Sequence, residues 1–137
     1  MQRWVELSVS LPPVPEAAAS ARHTIHAALA DRIDPDTIGD AELLVTELVT
    51  NAVRHAALRP GDNISVHVRT GDDSLTVEVS DPGAGFDRTT VGPRSDRTGG
   101  FGLFLLDRMA HAWGIANPPT RVWFELFAPD HHVDPAD

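Results

Sequence analysis

Apolar and polar residues alternate along Arg3–Leu11 (RWVELSVSL), a two-residue period that predicts a strand, and Pro12, Pro13 and Pro15 end it. The period then changes. Over Glu16–Ile33 the residues Ala17, Ala21, Ile25, Ala28, Leu29 and Ile33 recur at helical spacing in an alanine-rich stretch. Asp34-Pro35 starts a second helix, with Asp34 as N-cap and Pro35 at the first helical position. That helix runs through Ala41–Ala57 and stops before Arg59-Pro60-Gly61. Alternation returns twice, in Asn63–Arg69 with Ile64, Val66 and Val68 on one face, and in Ser74–Ser80 with Leu75, Val77 and Val79 together. The turn Thr70-Gly71-Asp72-Asp73 joins these runs as a hairpin.

Asp81–Thr98 is rich in Gly, Pro, Asp, Arg and Thr and reads as a long loop, a feature of functional segments in compact domains. Gly102–Ala112 predicts a helix, Ala112–Ala116 a short strand, and Arg121–Ala128 (RVWFELFA) a clear strand. Residues 130–137 are expected to be a disordered tail. The order β-α-α-β-β-loop-α-β-β predicts an α+β fold. It would be a two-layer α/β sandwich, one mixed sheet with helices on one face, formed by a single domain over residues 1–129.

Composition narrows the function. The 137 residues suffice for one core. A net charge of −9 disfavours direct nucleic-acid or anionic-membrane binding, which need a basic face. With no cysteine, disulfides and thiolate metal sites are excluded. Lysine is absent too, which removes a Walker-type P-loop and any lysine Schiff base. The N-terminus has no signal-peptide pattern, and no apolar run reaches the roughly 18 residues of a membrane span, so a cytoplasmic location is expected. The seven histidines show no zinc-ligand spacing, and no G-x-S-x-G stretch supports a hydrolytic triad.

Three constellations carry candidate chemistry. Glu47, Asn51 and His55 stand at i, i+4 and i+8 on the second helix, a polar stripe beside a wide apolar face. A solvated face would give the same pattern, but Glu47 is the only ionisable residue between Leu43 and Val53. Asp81-Pro82-Gly83-Ala84-Gly85 follows a strand, and its glycines let backbone turn sharply near a ligand, although an ordinary turn would use them as well. Gly99-Gly100-Phe101-Gly102-Leu103 precedes a helix, where exposed N–H groups can hold phosphate oxygens; a flexible linker is the plain alternative.

Taken in this order, helix Glu-x3-Asn-x3-His, hairpin, Asp-x-Gly-x-Gly, loop and Gly-x-Gly-Leu, the motifs resemble the GHKL (Bergerat-fold) ATPase superfamily. Glu42–Ala57, Gly99–Met109 and the C-terminal VWFEL look most like its small anti-sigma-factor serine/threonine kinases and their actinobacterial relatives. The resemblance covers about Arg3 to Phe127 and implies ATP and Mg²⁺ as cofactors. It implies that Asn51 ligates Mg²⁺, which prefers oxygen ligands, and that Glu47 is the general base. Asp81 would accept a hydrogen bond from the adenine amino group, and Gly83 and Gly85 would let the chain pass base and sugar. Gly99, Gly100 and Gly102 would close over the phosphates, with donors from the start of the Leu103 helix. His55 would either reach a phosphate or cap the pocket, and Arg54, Arg88, Arg94 and Arg97 are candidates to offset phosphate charge.

The resemblance further implies a STAS-domain antagonist as phosphoryl acceptor and a sigma factor as sequestered partner. Two departures bear on the phosphate side: Thr98 stands where the kinase branch often has arginine, and Phe101 where actinobacterial relatives often do. A non-catalytic module that sequesters a transcription regulator is the alternative, and a detached histidine-kinase ATP domain is a further one. Homodimerisation is common in this branch, and the Trp4 strand is a candidate edge for pairing with a second copy.

Overall fold

The computed structural model describes residues 5–55, 59–83, 101–116 and 120–128. Five strands and three helices occur in the order β1 (Glu6–Leu11), α1 (Ala17–Leu29), α2 (Pro35–His55), β2 (Ile64–Thr70), β3 (Ser74–Asp81), α3 (Phe101–Met109), β4 (Ala112–Ala116) and β5 (Thr120–Phe127). Every strand and helix predicted from periodicity is present. The first helix is shorter than its apolar pattern. Ile33 is buried, but it belongs to a turn in which the Arg32 and Ile33 N–H groups both donate to the Leu29 carbonyl. Asp34 caps α2 as expected: its carboxylate accepts from the Thr37 N–H at 3.1 Å and the Thr37 hydroxyl at 2.7 Å.

The sheet order is β1-β2-β3-β5-β4, and all four pairings are antiparallel. The expectation of a mixed sheet is corrected here, and the reason is topological. Two helices between β1 and β2 bring the chain back reversed, so these strands run antiparallel. The single helix α3 between β3 and β4 leaves those two pointing the same way, as in a βαβ unit. β5 is inserted between them and opposes both, so no parallel pair forms.

The register stacks apolar residues in rows across the helix-facing side. One row is Val9–Val66–Val79–Val122–Ile115, and the next is Leu7–Val68–Val77–Phe124–Trp113. α1 and α2 pack against each other, and α2 also contacts β3, β5 and α3. Ile25, Leu29, Leu44, Val45, Val49 and Leu106 supply buried side chains from the helices. The opposite side of the sheet carries polar residues, among them Ser8, His67 and Glu78, with Trp123 laid across Gly114 of β4. β1 is a sheet edge, as expected for the Trp4 strand, although Trp4 itself lies outside the described residues. Residues 130–137 lie outside them as well. Among the described residues no helix is long and apolar enough to cross a membrane.

Candidate functional site

The core loses its apolar character at one end. On β3 the helix-facing phase is Leu75, Val77, Val79 and then Asp81; on β5 it is Leu126, Phe124, Val122 and then Thr120. Asp81 and Thr120 are register partners, 7% and 4% exposed. A row that would otherwise continue the core therefore carries a carboxylate and a hydroxyl. Buried polar groups need partners, so a pair placed in the apolar phase points to a ligand or a local network. Part of that network is visible. The Gly83 N–H donates to Asp81 Oδ1 at 2.7 Å, turning the chain sharply after the strand. Burial lifts the Asp81 carboxyl above the usual aspartate range. The Gly83 bond opposes that rise, and the charge of Asp62 adds to it.

Chain direction brings α2 and α3 to the same end. Residues 56–63 return α2 to Ile64, which the β2–β3 register sets beside Asp81. Asp62, in this connection, accepts the Arg59 N–H at 2.8 Å, and Gly61 takes the positive φ of 93° that the turn requires. α3 ends near Ala112, the register partner of Glu125 in the far half of β5. Its nine residues span about 14 Å, so its N-terminus points back toward Thr120.

On α2, Glu47 is half-buried and Asn51 is buried at 7% exposure. Asn51 Nδ2 has no hydrogen-bond partner among the described residues. An unpaired buried amide donor costs about 1–3 kcal/mol, so its retention needs a reason beyond folding. The other buried polar residue, Thr70, has one: its Oγ1 accepts the Val5 N–H at 2.9 Å.

The fold thus gathers Glu47, Asn51, Asp81, Gly83 and the start of α3 at one end of the sandwich. Gly102 and Leu103 lie in the first turn of α3, where only their helical backbone is described, and the same holds for His55 at the end of α2. Gly85, Gly99, Gly100 and Arg97, with Arg88 and Arg94, lie outside the described residues. Arg54 is exposed. Thr120 was missed by sequence reasoning. Its signal was available, a polar residue in the apolar phase of Val122, Phe124 and Leu126, but strand ends often turn polar and the phase alone did not separate it.

A polar-ended α/β sandwich of this kind, with a buried helix-borne amide and a buried strand-end carboxylate, matches a known class. The sequence profile of the histidine kinase-like ATPase domain matches residues 11–125, and the chain belongs to that family. Within it, the chain is similar to the serine-protein kinase RsbW of Listeria innocua, 32% identical over 118 residues that cover 76% of this chain and 74% of that one. It is also similar to serine-protein kinase RsbW of Staphylococcus epidermidis, 34% identical over 87 residues covering 54% and 55%. In three dimensions it resembles the RsbU and RsbW domains of a Mycobacterium tuberculosis protein. The TM-score is 0.71 at 21% identity, over 95% of this chain and 35% of the solved one, so the chain spans about a third of that structure.

Proposed function

We propose that the protein is a Mg·ATP-dependent serine/threonine protein kinase of the anti-sigma type, acting from a single domain over residues 1–129. The observation that carries the reading is the buried, unpartnered Asn51 amide, one helical turn from Glu47, at the polar end of the core. Nucleotide binding gives that donor an acceptor. Among the described residues no group of three or more His, Cys, Asp or Glu could hold a metal. The Asn51 side-chain oxygen fits Mg²⁺, which takes few protein ligands when phosphates supply the rest. The bound metal would neutralise charge on the transferring phosphoryl group.

The chain's own residues do the positioning. Asp81, held by the Gly83 N–H, keeps a second carboxylate oxygen to accept the adenine amino group, and Thr120 beside it offers a hydroxyl. Glu47, half-buried and ahead of Asn51 on α2, is set to take the proton of an acceptor hydroxyl. The backbone N–H groups at the start of α3, with Gly99, Gly100 and Gly102, would face the phosphates. Gly85 would let the chain pass the base, and His55 and Arg97 would lie on the phosphate side. The relatives' names support serine as the acceptor class. The reading extends to a cytoplasmic STAS-domain antagonist as substrate, a sequestered sigma factor, and a homodimer.

Glu47→Gln tests the chemistry. Phosphoryl transfer to a STAS-domain substrate should fall about 10²–10⁴-fold while Mg·ATP affinity holds, measured with labelled ATP and by calorimetry. Unchanged transfer rejects Glu47 as the base. A wild-type protein that binds ATP, transfers nothing and still sequesters its partner would establish the non-catalytic module instead.

A further inference from the structure

We propose that β4 is a dimer edge, where a second copy of the chain adds its own β4, antiparallel and centred on Gly114, so that the two sheets run on as one. The inference rests on the homodimer of the reading above and deepens it by saying which edge makes it. β4 ends the sheet, and its five residues, Ala112–Ala116 (AWGIA), have a strand on one side only among the described residues. None of them carries a charge. Trp113 and Ile115 pack against the core but stay half-buried, as do Leu105 and Met109 of α3. Soluble proteins guard a sheet edge with charge, proline or a covering element. β1, the opposite edge, has such a guard in Glu6, whose carboxylate pairs with His67 Nε2 at 3.0 Å, and Ser8 and Ser10 share its face. β4 has none of its own.

Two independent features say what covers it. The first is Trp123. Its indole leaves its own strand and lies across β4, where a Cβ on Gly114 would stand 2.6, 2.9 and 3.0 Å from Nε1, Cε2 and Cζ2. The ring thus reaches the outermost strand over the one residue there without a side chain, and it stays half-buried. The second is register. Antiparallel pairing about Gly114 sets Gly114 against its copy, Trp113 against the second copy's Ile115, and Ala112 against the second copy's Ala116. Apolar residues meet apolar residues on one face, and small meet small on the other. Neighbouring strands lie about 4.8 Å apart, so the two Trp123 Cα atoms stand about 14 Å apart across the axis. Each indole already spans one of those three steps. One strand spacing is left between the rings, which is about aromatic contact distance over the glycine pair.

Charge agrees with the register. On the open side of the sheet Ala112 is the partner of Glu125, and Ala116 is the partner of Arg121. Pairing Ala112 with the second copy's Ala116 therefore builds a row from Glu125 through both alanines to the second copy's Arg121. The two-fold axis builds this row twice, with opposite charges flanking two small side chains each time. A slip of two residues in either direction breaks the glycine pair and both charge rows. Five-residue strands and two indoles make a small interface, so the dimer should form and dissociate with concentration.

Sedimentation of the full chain over a concentration series tests this, with cysteine cross-linking to fix the register. Wild type should pass from monomer to dimer. Ala112→Lys with Ala116→Lys sets like charges directly opposite each other twice and should raise the dimer Kd at least about tenfold. Ala112→Lys with Ala116→Glu sets opposite charges there and should keep the Kd at or below the wild-type value. The chain has no cysteine, so introduced thiols report alone. Oxidised as a mixture, Ala112→Cys and Ala116→Cys chains should form a disulfide-linked pair, because directly opposed residues lie within disulfide reach. Either variant alone should not link, since each thiol stands more than about 13 Å from its own copy. A chain that stays monomeric at every concentration overturns the proposal together with the homodimer. A dimer whose mixed cysteines fail to link, or whose Kd a folded double-lysine variant leaves unchanged, overturns the β4 edge and keeps the homodimer. Calorimetry with Mg·ATP scores the nucleotide reading apart. A β4-linked dimer that binds no nucleotide supports the edge and rejects that reading, whereas a monomer that binds it does the reverse.

Discussion

Replacing Asn51 by leucine should strengthen the empty protein and abolish its response to nucleotide. Leucine has the same side-chain branching and heavy-atom count as asparagine, is bulkier by its methyl groups, and needs no hydrogen bond. Asn51 is 7% exposed and its Nδ2 lacks an acceptor among the described residues, so Asn51→Leu removes an unpaired buried donor worth about 1–3 kcal/mol. It also adds apolar contact beside Leu48 and Ala52, both buried. For a chain of this length each kcal/mol moves Tm by roughly 3–5 °C, so the ligand-free variant should melt several degrees higher. With Mg·ATP at about a hundred times Kd, wild type gains about 2.7 kcal/mol and the variant gains nothing. The two melting curves should therefore approach or cross on adding nucleotide. Urea unfolding with and without Mg·ATP reads both terms from the midpoints. If the ligand-free variant were less stable than wild type, Asn51 would be satisfied within the fold, and the argument for a ligand at that donor would fail.

Other perturbations test the frame around the site. Asp34→Ala should cost about 1 kcal/mol by removing the cap on α2, read by chemical denaturation; an unchanged midpoint would mean the Thr37 bonds do not stabilise the helix. The Thr37 bonds also hold the Asp34 carboxyl below the usual aspartate value of about 3.9, so its contribution is present above that value and disappears as pH falls through the lower, folded one. At Gly114 an added Cβ would lie 2.6 Å from Trp123 Nε1, so Gly114→Ala should swing the indole off β4, red-shift tryptophan fluorescence and cost about 1–3 kcal/mol. An unchanged emission spectrum would show that the ring does not rest there. The raised Asp81 carboxyl should take up a proton above the ordinary aspartate range, so ATP affinity measured by calorimetry should start to fall at a higher pH than a normal aspartate would allow. Asp62→Asn should move that onset downward. For the empty fold the sign reverses. A raised folded value favours the protonated folded state, so Asp81→Asn should not lower stability at neutral pH, and a clear loss would contradict the burial argument.

Much of this architecture could be read from periodicity because each element buries a single face. The alternation in Asn63–Arg69 and Ser74–Ser80 fixes which residues turn inward, and Asp34-Pro35 marks the start of α2 without tertiary information. Strand order could not be read in this way. Whether β3 and β4 lie side by side depends on where β5 inserts, and nothing local in Thr120–Phe127 encodes its neighbours. The candidate site stands out in the sequence where chemistry contradicts pattern, as with Glu47 alone in an uncharged stretch, or an aspartate before glycines. Thr120 escaped because its place beside the candidate site depends on Asp81 being its partner across the sheet, a relation set by register.

The placement of these polar residues explains how one small core serves both stability and binding. Rows through Val66 and Val68 run across all five strands and are apolar throughout, whereas the end of the sheet pairs buried Leu11 and Ile64 on β1 and β2 and buried Asp81 and Thr120 on β3 and β5. That end lies where α2 returns toward β2 and where α3 begins, and it carries buried polar residues from α2, β3 and β5. A ligand bound there would satisfy donors and acceptors from separate elements at once, and so would couple α2, β3 and α3. The predicted stability of Asn51→Leu follows from the same separation: polar character is confined to one end of the sandwich, where replacing it strengthens the empty fold and removes the grip on nucleotide.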